Sequence, residues 1–492
     1  MAKRVLFNDL TLRDGHQSCA ATRMTTEQCM RVLPIIKDAG YNIFELWGGA
    51  TLDSAIRFTR DDPWERLEKF RDCLGGGEKI QSLLRGQNLF AYNPYPDDVL
   101  IAFIRQSIES GSVNMRIFDA LNDIRNLRMA ILATKAYGGK VEAAISYTTS
   151  PVHTTEYFIN YAKALEAEGV DRIAIKDMAG LLHPDVAEVL FPALKKELNV
   201  PIVLHTHSTT GVSIVNGALA IKYGLGAIDT AISPFAGGPS HSPIEVMAIV
   251  AEEMGYDHGL DKQAIEKAQD KLRVIFEELK DSIPSFGKFR RKPVHFADVP
   301  RAKVAKMVNA IEKNDLKTAI DTSREIMSDL DYPGYDDRIF ESQIPGGMLS
   351  NLQKQLSGMG VPAEKLDDVM AEIPSVRADV GYVPLVTPTS QIVGTQAAFN
   401  VMTGSRYAFV SNEFKMILLG EFGKTPAPVN QEVLHQVCGE DAEVKKYRPA
   451  SYLMPGMEDP DEAPFIKTHK DLLLHKVFGP AADEFLQLKY KQ

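Results

Sequence analysis

Cysteine is scarce in this chain: Cys19, Cys29, Cys73 and Cys438 are the four among 492 residues, and no two stand in a CxxC spacing. That excludes a disulfide framework and a thiolate zinc site, and fits a reducing compartment. Basic charge is in deficit as well. Lys and Arg number 55 against 65 Asp and Glu, a formal net charge of −10, which removes the electrostatic case for a nucleic-acid binder. No uncharged apolar run approaches twenty residues, and MAKRVLFNDL leads straight into a strand-like pattern without a secretory leader. The expectation is a cytoplasmic protein, docked at most on a membrane partner. The first strand-like run ends in NDLTLRDGHQS, which lacks the Gly-rich phosphate turn of a doubly wound dinucleotide fold. Apolar residues at 45 % suffice for a large core, and Cys19, Cys29, Trp47 and Trp64 read as part of it.

What is present is a rhythm. Eight short apolar runs recur before residue 235: 5–9, 43–49, 79–86, 113–120, 141–149, 172–179, 201–208 and 227–233. Helical patterns lie between them, at 25–40, 97–110, 122–137, 154–168, 184–197 and 211–224. Thr25 with Gln28 reads as a capping box, and Gly40 as the stop. Strand and helix alternating eight times give an α/β fold, a (β/α)8 TIM barrel over 1–290. After residue 240 the strands stop. Residues 244–280 read as helices and 281–303 as a Pro-rich basic linker containing KFRRK. A mostly helical domain follows over 301–425, with helices at 301–312, 315–329, 345–358, 362–372 and 389–402. The stretch 426–492 reads as a polar tail with one short helix, 469–488.

Barrel enzymes place their chemistry at the carboxyl ends of the strands. Here those ends carry Asp14 with Gln17, Glu45, Arg85, Asp119, Lys176 with Asp177, and His205 with His207. The pair in LHTHS sits two apart on a strand, so both imidazoles face one way and can share a metal. The alternative is a pair of ordinary hydrogen-bonded histidines. Asp14 supplies the hard anionic ligand that two neutral imidazoles lack, or else it pairs with Arg13 or caps a helix. Lys176 ends an apolar strand, where a bare ammonium is expensive. It has three fates: an ion pair with Asp177 or another acid, first on chemistry alone, a Schiff base, or a carbamate formed with CO2 that turns a cation into an oxygen ligand. Arg85 suits a small carboxylate held bidentately, or a structural ion pair. In TPTSQ (387–391), Thr387 and Ser390 are helix caps or, over a barrel mouth, a proton relay.

The motifs TLRDGHQS, ELWGGATLDSAIRF, LLRGQNLFAY, IAIKDMAGLL, LHTHSTTG, DTAISPFAGGPSHSP, SQIPGGMLSN and PLVTPTSQIVGTQA span most of residues 6–405. The chain resembles the carboxyltransferase subunits of biotin-dependent enzymes: the pyruvate carboxylase carboxyltransferase domain, the oxaloacetate decarboxylase alpha subunit and the 5S subunit of methylmalonyl-CoA transcarboxylase. The resemblance implies a metal-dependent enzyme moving a carboxyl group between carrier-bound biotin and pyruvate or oxaloacetate. It implies one divalent metal (zinc, cobalt or manganese) on Asp14, His205, His207 and a carbamylated Lys176. Loss of Lys176 would then cost both metal and activity. Arg85 and Gln17 would hold the keto acid, Arg13, Asp53 and Tyr92 would shape the biotin pocket, and Thr387 would pass the proton with Ser390 beside it. The family's helical domain is a funnel over the barrel mouth.

Two departures from the family pattern, Gly15 and Thr206, touch no ligand and are expected to matter little. The chain carries no AMKM-like biotinyl motif and no ATP-grasp module. The expectation is therefore one subunit of a multisubunit complex, with biotin on a separate carrier protein, a second carboxylase, decarboxylase or transcarboxylase subunit, and a homo-oligomer of at least two copies. The competing reading is a metal-dependent barrel lyase or Claisen-type synthase acting on acyl-CoA and keto acids. That group shares the LRDG strand end and the HxH pair, but needs neither Lys176 nor TPTSQ.

Overall fold

The computed structural model of the chain describes residues 3–283, 286–288, 292–337, 339–340, 362–457 and 463–491. Each of the eight apolar runs contains a strand: β1 (Phe7–Asp9), β2 (Phe44–Gly48), β3 (Ile80–Leu84), β4 (Asn114–Phe118), β5 (Lys140–Ser146), β6 (Arg172–Asp177), β7 (Ile202–Thr206) and β8 (Ala227–Thr230). They pair in parallel in chain order, and β8 closes on β1. A short parallel pair, Lys3–Arg4 with Tyr256–Asp257, lies outside the barrel. Alternation along each strand sorts the side chains. On β6, Ile173 and Ile175 join the outer core shared with the helices, whereas Ala174 faces Ala144 and Val203 inside. Trp47 and Trp64 pack with ring centroids 5.3 Å apart in that outer core, and Cys19 and Cys29 are buried in it.

The helices largely follow the sequence reading, with instructive exceptions. Thr25 and Gln28 form the expected capping box. The helix that follows nevertheless breaks into Thr26–Met30 and Leu33–Ile36, because Pro34 has no N–H and disfavours helical geometry just before it. The stretch read as a linker is partly docked. Val294 is fully buried, and the Gln269 side chain brackets its main chain, donating to its carbonyl at 2.8 Å and accepting from its N–H at 3.0 Å. The helix expected at 345–358, the SQIPGGMLSN motif and part of KFRRK lie outside the described residues.

Helices Arg301–Glu312 and Leu316–Asp329 pack into the barrel's outer core through Val304, Met307, Ile311 and Ile326. A second core is built from Leu366–Asp379, Thr389–Thr403, Asn412–Leu418 and Gln431–Cys438, and Leu121 from the loop after β4 belongs to it. Polar clamps seat this helical unit on the carboxyl-end loops of the barrel. Arg377 donates to the Thr149 carbonyl at 2.8 Å and to Oγ1 of Thr148 at 2.9 Å, and Asn126 donates to the Phe422 carbonyl at 2.8 Å.

The tail is not one short helix. It forms His469–Phe478 and Pro480–Lys489, parted at Gly479 with φ +52° and followed by proline. Both helices bury apolar faces in the main core through Leu473, Leu474, Val477 and Leu486. Trp64 Nε1 donates to the Lys470 carbonyl at 3.1 Å, and Lys489 pairs with Asp62 at 2.9 Å. Leu474→Ala is therefore expected to destabilise the fold by about 2–5 kcal/mol, read from urea unfolding. A loss near zero would mean that the tail docks without supporting the barrel. Among the described residues no helix is long and apolar enough to cross a membrane.

Candidate active site and metal centre

The centre begins at the turn after β1. Thr11–Gly15 form one widened helical turn, with the N–H groups of Arg13 and Gly15 both donating to the Leu10 carbonyl at 3.2 and 2.9 Å. Such π-turns re-aim side chains and concentrate at functional sites. Here the turn buries Arg13 and Asp14 at the barrel mouth. At Gly15 the turn runs close to the loop after β8. A Cβ there would lie 3.1 Å from the Phe235 carbonyl, so alanine makes the turn carrying Asp14, or Phe235, give way.

His205 is the penultimate residue of β7, and His207 lies just past the strand's end. Both Nε2 atoms lie 3.4 Å from Oδ2 of Asp14. That is about the edge of a tetrahedron with metal–ligand bonds of about 2.1 Å. The rings are held from behind. Nδ1 of His205 lies 2.9 Å from Oδ2 of Asp229 and 3.0 Å from Nη1 of Arg116, and Nδ1 of His207 donates to the Pro239 carbonyl at 2.6 Å. A carbonyl cannot donate, and the Asp229 carboxylate already takes N–H donors from Arg116 and Asn8. Nε2 of both rings points to the centre, and that of His205 faces the Lys176 amine, a donor, at 3.3 Å. Nε2 of His207 is buried with no hydrogen-bond partner among the described residues. Burial, reinforced by neighbouring cations, holds His205 neutral. Burial would raise Asp14, but Arg13 and His207 outweigh it and hold the carboxyl well below the ordinary range. A neutral His205 imidazole, an ionised carboxylate and an orphaned buried nitrogen on His207 fit a divalent transition ion. Asp229→Asn is expected to weaken metal binding about 10–100-fold, measured by competition with a chromophoric chelator. Unchanged affinity would show that Asp229 does not fix the His205 ring.

The Lys176–Asp177 pair expected from chemistry is absent, for a geometric reason. Consecutive strand residues face opposite ways. Asp177 turns outward, accepting the N–H groups of Leu181 at 2.7 Å and Leu182 at 3.0 Å and the Thr206 hydroxyl at 2.9 Å. Thr206 is therefore tied to the site's support rather than idle. Lys176 turns inward with Nζ 3.3 Å from Nε2 of His205, and among the described residues no carboxylate lies within 4 Å of it. Burial lowers its pKa to about 7.

Beneath the centre lies a buried ionic layer. Arg116, with no solvent exposure, reaches Glu45 at 2.9 Å, Glu142 at 2.5 Å and Asp229 at 2.6 Å. Arg13 is bound to Glu45, to Asp14 at 2.9 Å and to Oε1 of Gln17 at 3.2 Å. Breaking such a layer by removing one partner strands a buried charge. Asp119, also at a strand end, holds its own loop instead, accepting from the N–H groups of Leu121 and Asp123.

Beside this layer opens a small cleft lined by Arg13, Gln17, Arg85, Tyr92 and Thr387 over an apolar floor of Leu83, Leu89, Phe90 and Phe118. The Arg85 guanidinium has no carboxylate within 4 Å among the described residues. It donates to the Ala91 carbonyl and lies 5.3 and 5.5 Å from the ring centroids of Tyr92 and Phe118. Its Nε is buried and without a partner, and burial lowers its pKa. The structural ion pair is thus absent, and the cation faces the cleft. Phe118 also lies under Lys176, at 5.6 Å, so the cleft and the metal centre share a wall. Gln17 uses its carbonyl on Arg13, which leaves its amide nitrogen to donate.

Seven residues expected at the site converge this way: Asp14, Gln17, Arg85, Lys176, His205, His207 and Thr387. Arg13 lines the cleft, but its guanidinium is spent on buried acceptors. Tyr92 stands at the cleft, 47 % exposed. Asp53 and Ser390 do not line it. Asp53 pairs with Arg57 at 2.6 Å, and the Ser390 hydroxyl donates to the Val386 carbonyl at 3.2 Å. Sequence reasoning missed His241, Arg116, Glu142 and Asp229. Their signal was a single charged residue inside an otherwise apolar strand (NMRIF, VEAAIS, AIDT), and a histidine in GGPSHSP.

Residues 339–492 match the family described as "Conserved carboxylase domain", and 108–272 match "HMGL-like". The chain is 38 % identical over 487 residues to a pyruvate carboxylase subunit of Methanocaldococcus jannaschii, covering 98 % of this chain and 78 % of that protein. It is 40 % identical over 495 residues to the methylmalonyl-CoA carboxyltransferase 5S subunit of Propionibacterium freudenreichii, covering 99 % and 88 %. The chain belongs to this family of biotin-dependent carboxyltransferases. The fold of this carboxyltransferase superposes on the carboxyl transferase domain of Rhizobium etli pyruvate carboxylase, solved with oxamate and biotin, with a TM-score of 0.82 and 26 % identity over 99 % of this chain and 78 % of that one. The family match over the barrel is shared with HMGL-like proteins. The match beyond residue 339 is what separates the carboxyltransferase from the lyase and synthase reading.

Proposed function

We propose that this carboxyltransferase moves a carboxyl group between biotin on a separate carrier protein and the methyl carbon of pyruvate, oxaloacetate being the carboxylated partner. The observation that carries the reading is the half-buried guanidinium of Arg85, with no carboxylate within 4 Å among the described residues and facing a cleft that shares Phe118 with the metal centre. Arg85 holds the carboxylate of the keto acid bidentately, and the Gln17 amide nitrogen donates to it. Thr387 lines the same cleft from the helical unit. Its hydroxyl carries the proton between the pyruvate methyl group and the ureido nitrogen of biotin. Tyr92 and Phe90 close the cleft against water and leave apolar walls for the bicyclic ring.

Asp14, His205 and His207 hold a zinc, cobalt or manganese ion, which when bound supplies positive charge where the enolate oxygen develops. Lys176 belongs to this set as its carbamate. Its amine is about half neutral near pH 7, and only the neutral amine takes up CO2. The subunit names of the relatives support a carrier and a further catalytic subunit as partners. A cytoplasmic, homo-oligomeric protein is the matching setting.

The test is oxaloacetate decarboxylation by the purified, metal-analysed chain with and without free biotin. Biotin-stimulated, oxamate-inhibited formation of pyruvate is the expected result. Bound metal with no biotin response would overturn it in favour of a lyase or synthase acting on acyl-CoA substrates.

A further inference from the structure

Residues 85–96 link β3 to the helix Asp97–Ser110 and carry Arg85, Leu89, Phe90 and Tyr92 into the cleft. The link turns through two left-handed positions, Gly86 with φ +37° and Leu89 with φ +50°. Leucine is strained there, and such a turn persists only where its surroundings over-determine it. Part of the support is local. The Arg85 N–H donates to the Leu89 carbonyl and the Asn88 N–H to the Arg85 carbonyl, both at 2.8 Å. The rest comes from Gln87, which is fully buried. Its main-chain carbonyl accepts the Tyr95 N–H at 2.9 Å, and its side-chain Nε2 donates to the Tyr95 carbonyl at 2.7 Å. One residue thus ties the two ends of the link together.

That tie needs the Gln87 amide to face one way. Reversed, it would set an oxygen against the Tyr95 carbonyl and the Asp97 carboxylate. The orientation is selected by Arg448, 361 positions along the chain. Its Nη1 donates to Oε1 of Gln87 at 3.1 Å and to Oδ1 of Asp97 at 2.8 Å, and its Nη2 pairs with Oδ2 of Asp97. A guanidinium can only donate, so the amide oxygen has to face it. Arg448 is seated in turn. It precedes the tight turn Pro449–Tyr452, and the Lys446 carbonyl accepts from Arg125 at 2.9 Å. The N–H groups of Gly456 and Met457 donate to Oδ2 of Asp98 at 2.8 and 2.7 Å. As a partly exposed ion pair with Asp97, Arg448 would matter little. Its bond to a buried amide inside the turn that follows Arg85 is what connects it to the cleft.

We infer that Arg448 is a positioning residue of the cleft: acting through Gln87, it holds the turn that presents Arg85 to the carboxylate of the keto acid. The inference rests on the proposed function, in which Arg85 takes that carboxylate. It makes the C-terminal stretch part of the substrate site although Arg448 itself does not line the cleft.

The experiment compares full-length wild type, Arg448→Ala, Arg85→Gln and the double variant. It reads kcat/KM for oxaloacetate decarboxylation with free biotin, and hydrogen exchange of the peptides covering 85–97. Arg448→Ala is expected to lower kcat/KM about tenfold, mainly through KM, because the clamp works only in molecules that hold the turn in place. In the Arg85→Gln background the same change is expected to cost less than about threefold, since no clamp is left to misplace. The loop amides of Arg448→Ala are expected to exchange at least about tenfold faster than those of wild type. Wild-type kcat/KM in Arg448→Ala, or a loss of equal size in both backgrounds, would overturn the inference, as would wild-type exchange. Should Arg448→Ala fail to fold, Arg448→Lys, which cannot present two parallel donors, takes its place in the same comparison. Wild type without biotin-stimulated decarboxylation is a different outcome. It overturns the proposed function, and exchange then decides whether Arg448 holds the loop.

Discussion

Arg85→Gln is expected to raise KM for the keto acid and the inhibition constant of oxamate by about 10²–10³, with a smaller change in kcat. Each charge-assisted hydrogen bond contributes about 1.5–3 kcal/mol, and a bidentate carboxylate loses two. The effect should be large because, among the described residues, the guanidinium has no carboxylate within 4 Å and one main-chain acceptor, the Ala91 carbonyl. Removing the charge also removes a half-buried cation that no carboxylate pairs within 4 Å among the described residues, so thermal stability should hold or rise. Arg85→Lys should recover only part of the affinity, since an ammonium cannot present two parallel donors. Steady-state kinetics and oxamate titration measure both. A KM within threefold of wild type would make Arg85 a wall of the cleft and not the carboxylate's partner.

Lys176→Ala is expected to bring carboxyl transfer down by about 10³-fold or more. The carbamate places a further anionic oxygen ligand in the centre, and shaping the charge there is a several-kcal/mol effect on an enolate-like transition state. The pH dependence follows from the amine. Burial lowers its pKa to about 7 in the folded chain. Below that value the group is an ammonium and takes up no CO2, and above it the free amine reacts. Activation of CO2-depleted enzyme by bicarbonate should therefore fail as pH drops through 7 and improve as it rises. The same shift carries a stability cost. Between about pH 7 and the unfolded value of 10.5 the unfolded chain binds a proton that the folded one does not, so the unmodified fold gains stability as pH rises through that window. A carbon-13 carbamate resonance formed from labelled bicarbonate, present in wild type and missing in the variant, reads the modification directly. Full activity without Lys176 would remove it from the mechanism.

Much of the site was legible because a parallel barrel puts the information where the sequence shows it. Strand ends are visible as the last residues of apolar runs, so Asp14, Arg85, Lys176, His205 and His207 could be picked out one by one. Their convergence follows from closure alone: β8 pairs with β1, which brings Asp14 next to the residues of β7 and β8. Period two placed the two histidines on one face and should also have ruled out a Lys176–Asp177 pair. That pairing was expected from proximity in sequence, but adjacent strand residues point apart.

Other features had no local signature. Nothing near His241 shows that its loop bridges back to His207, and Arg116, Glu142 and Asp229, on β4, β5 and β8, become one network only across the interior of the closed barrel. Gly479 and Pro480 could have been read as a helix break, yet not the burial of both tail helices against the barrel. Strand period and strand ends are local properties, so the order of residues was enough to specify the alternation that makes a closed barrel and most of the chemistry at its rim. Which ionisable groups neutralise one another, which cation is left facing the cleft, and how many imidazoles meet Asp14 were settled in three dimensions. Those outcomes depend on distances of a few ångströms between residues hundreds of positions apart, and the burial that shifts their pKa values exists only after the barrel has closed.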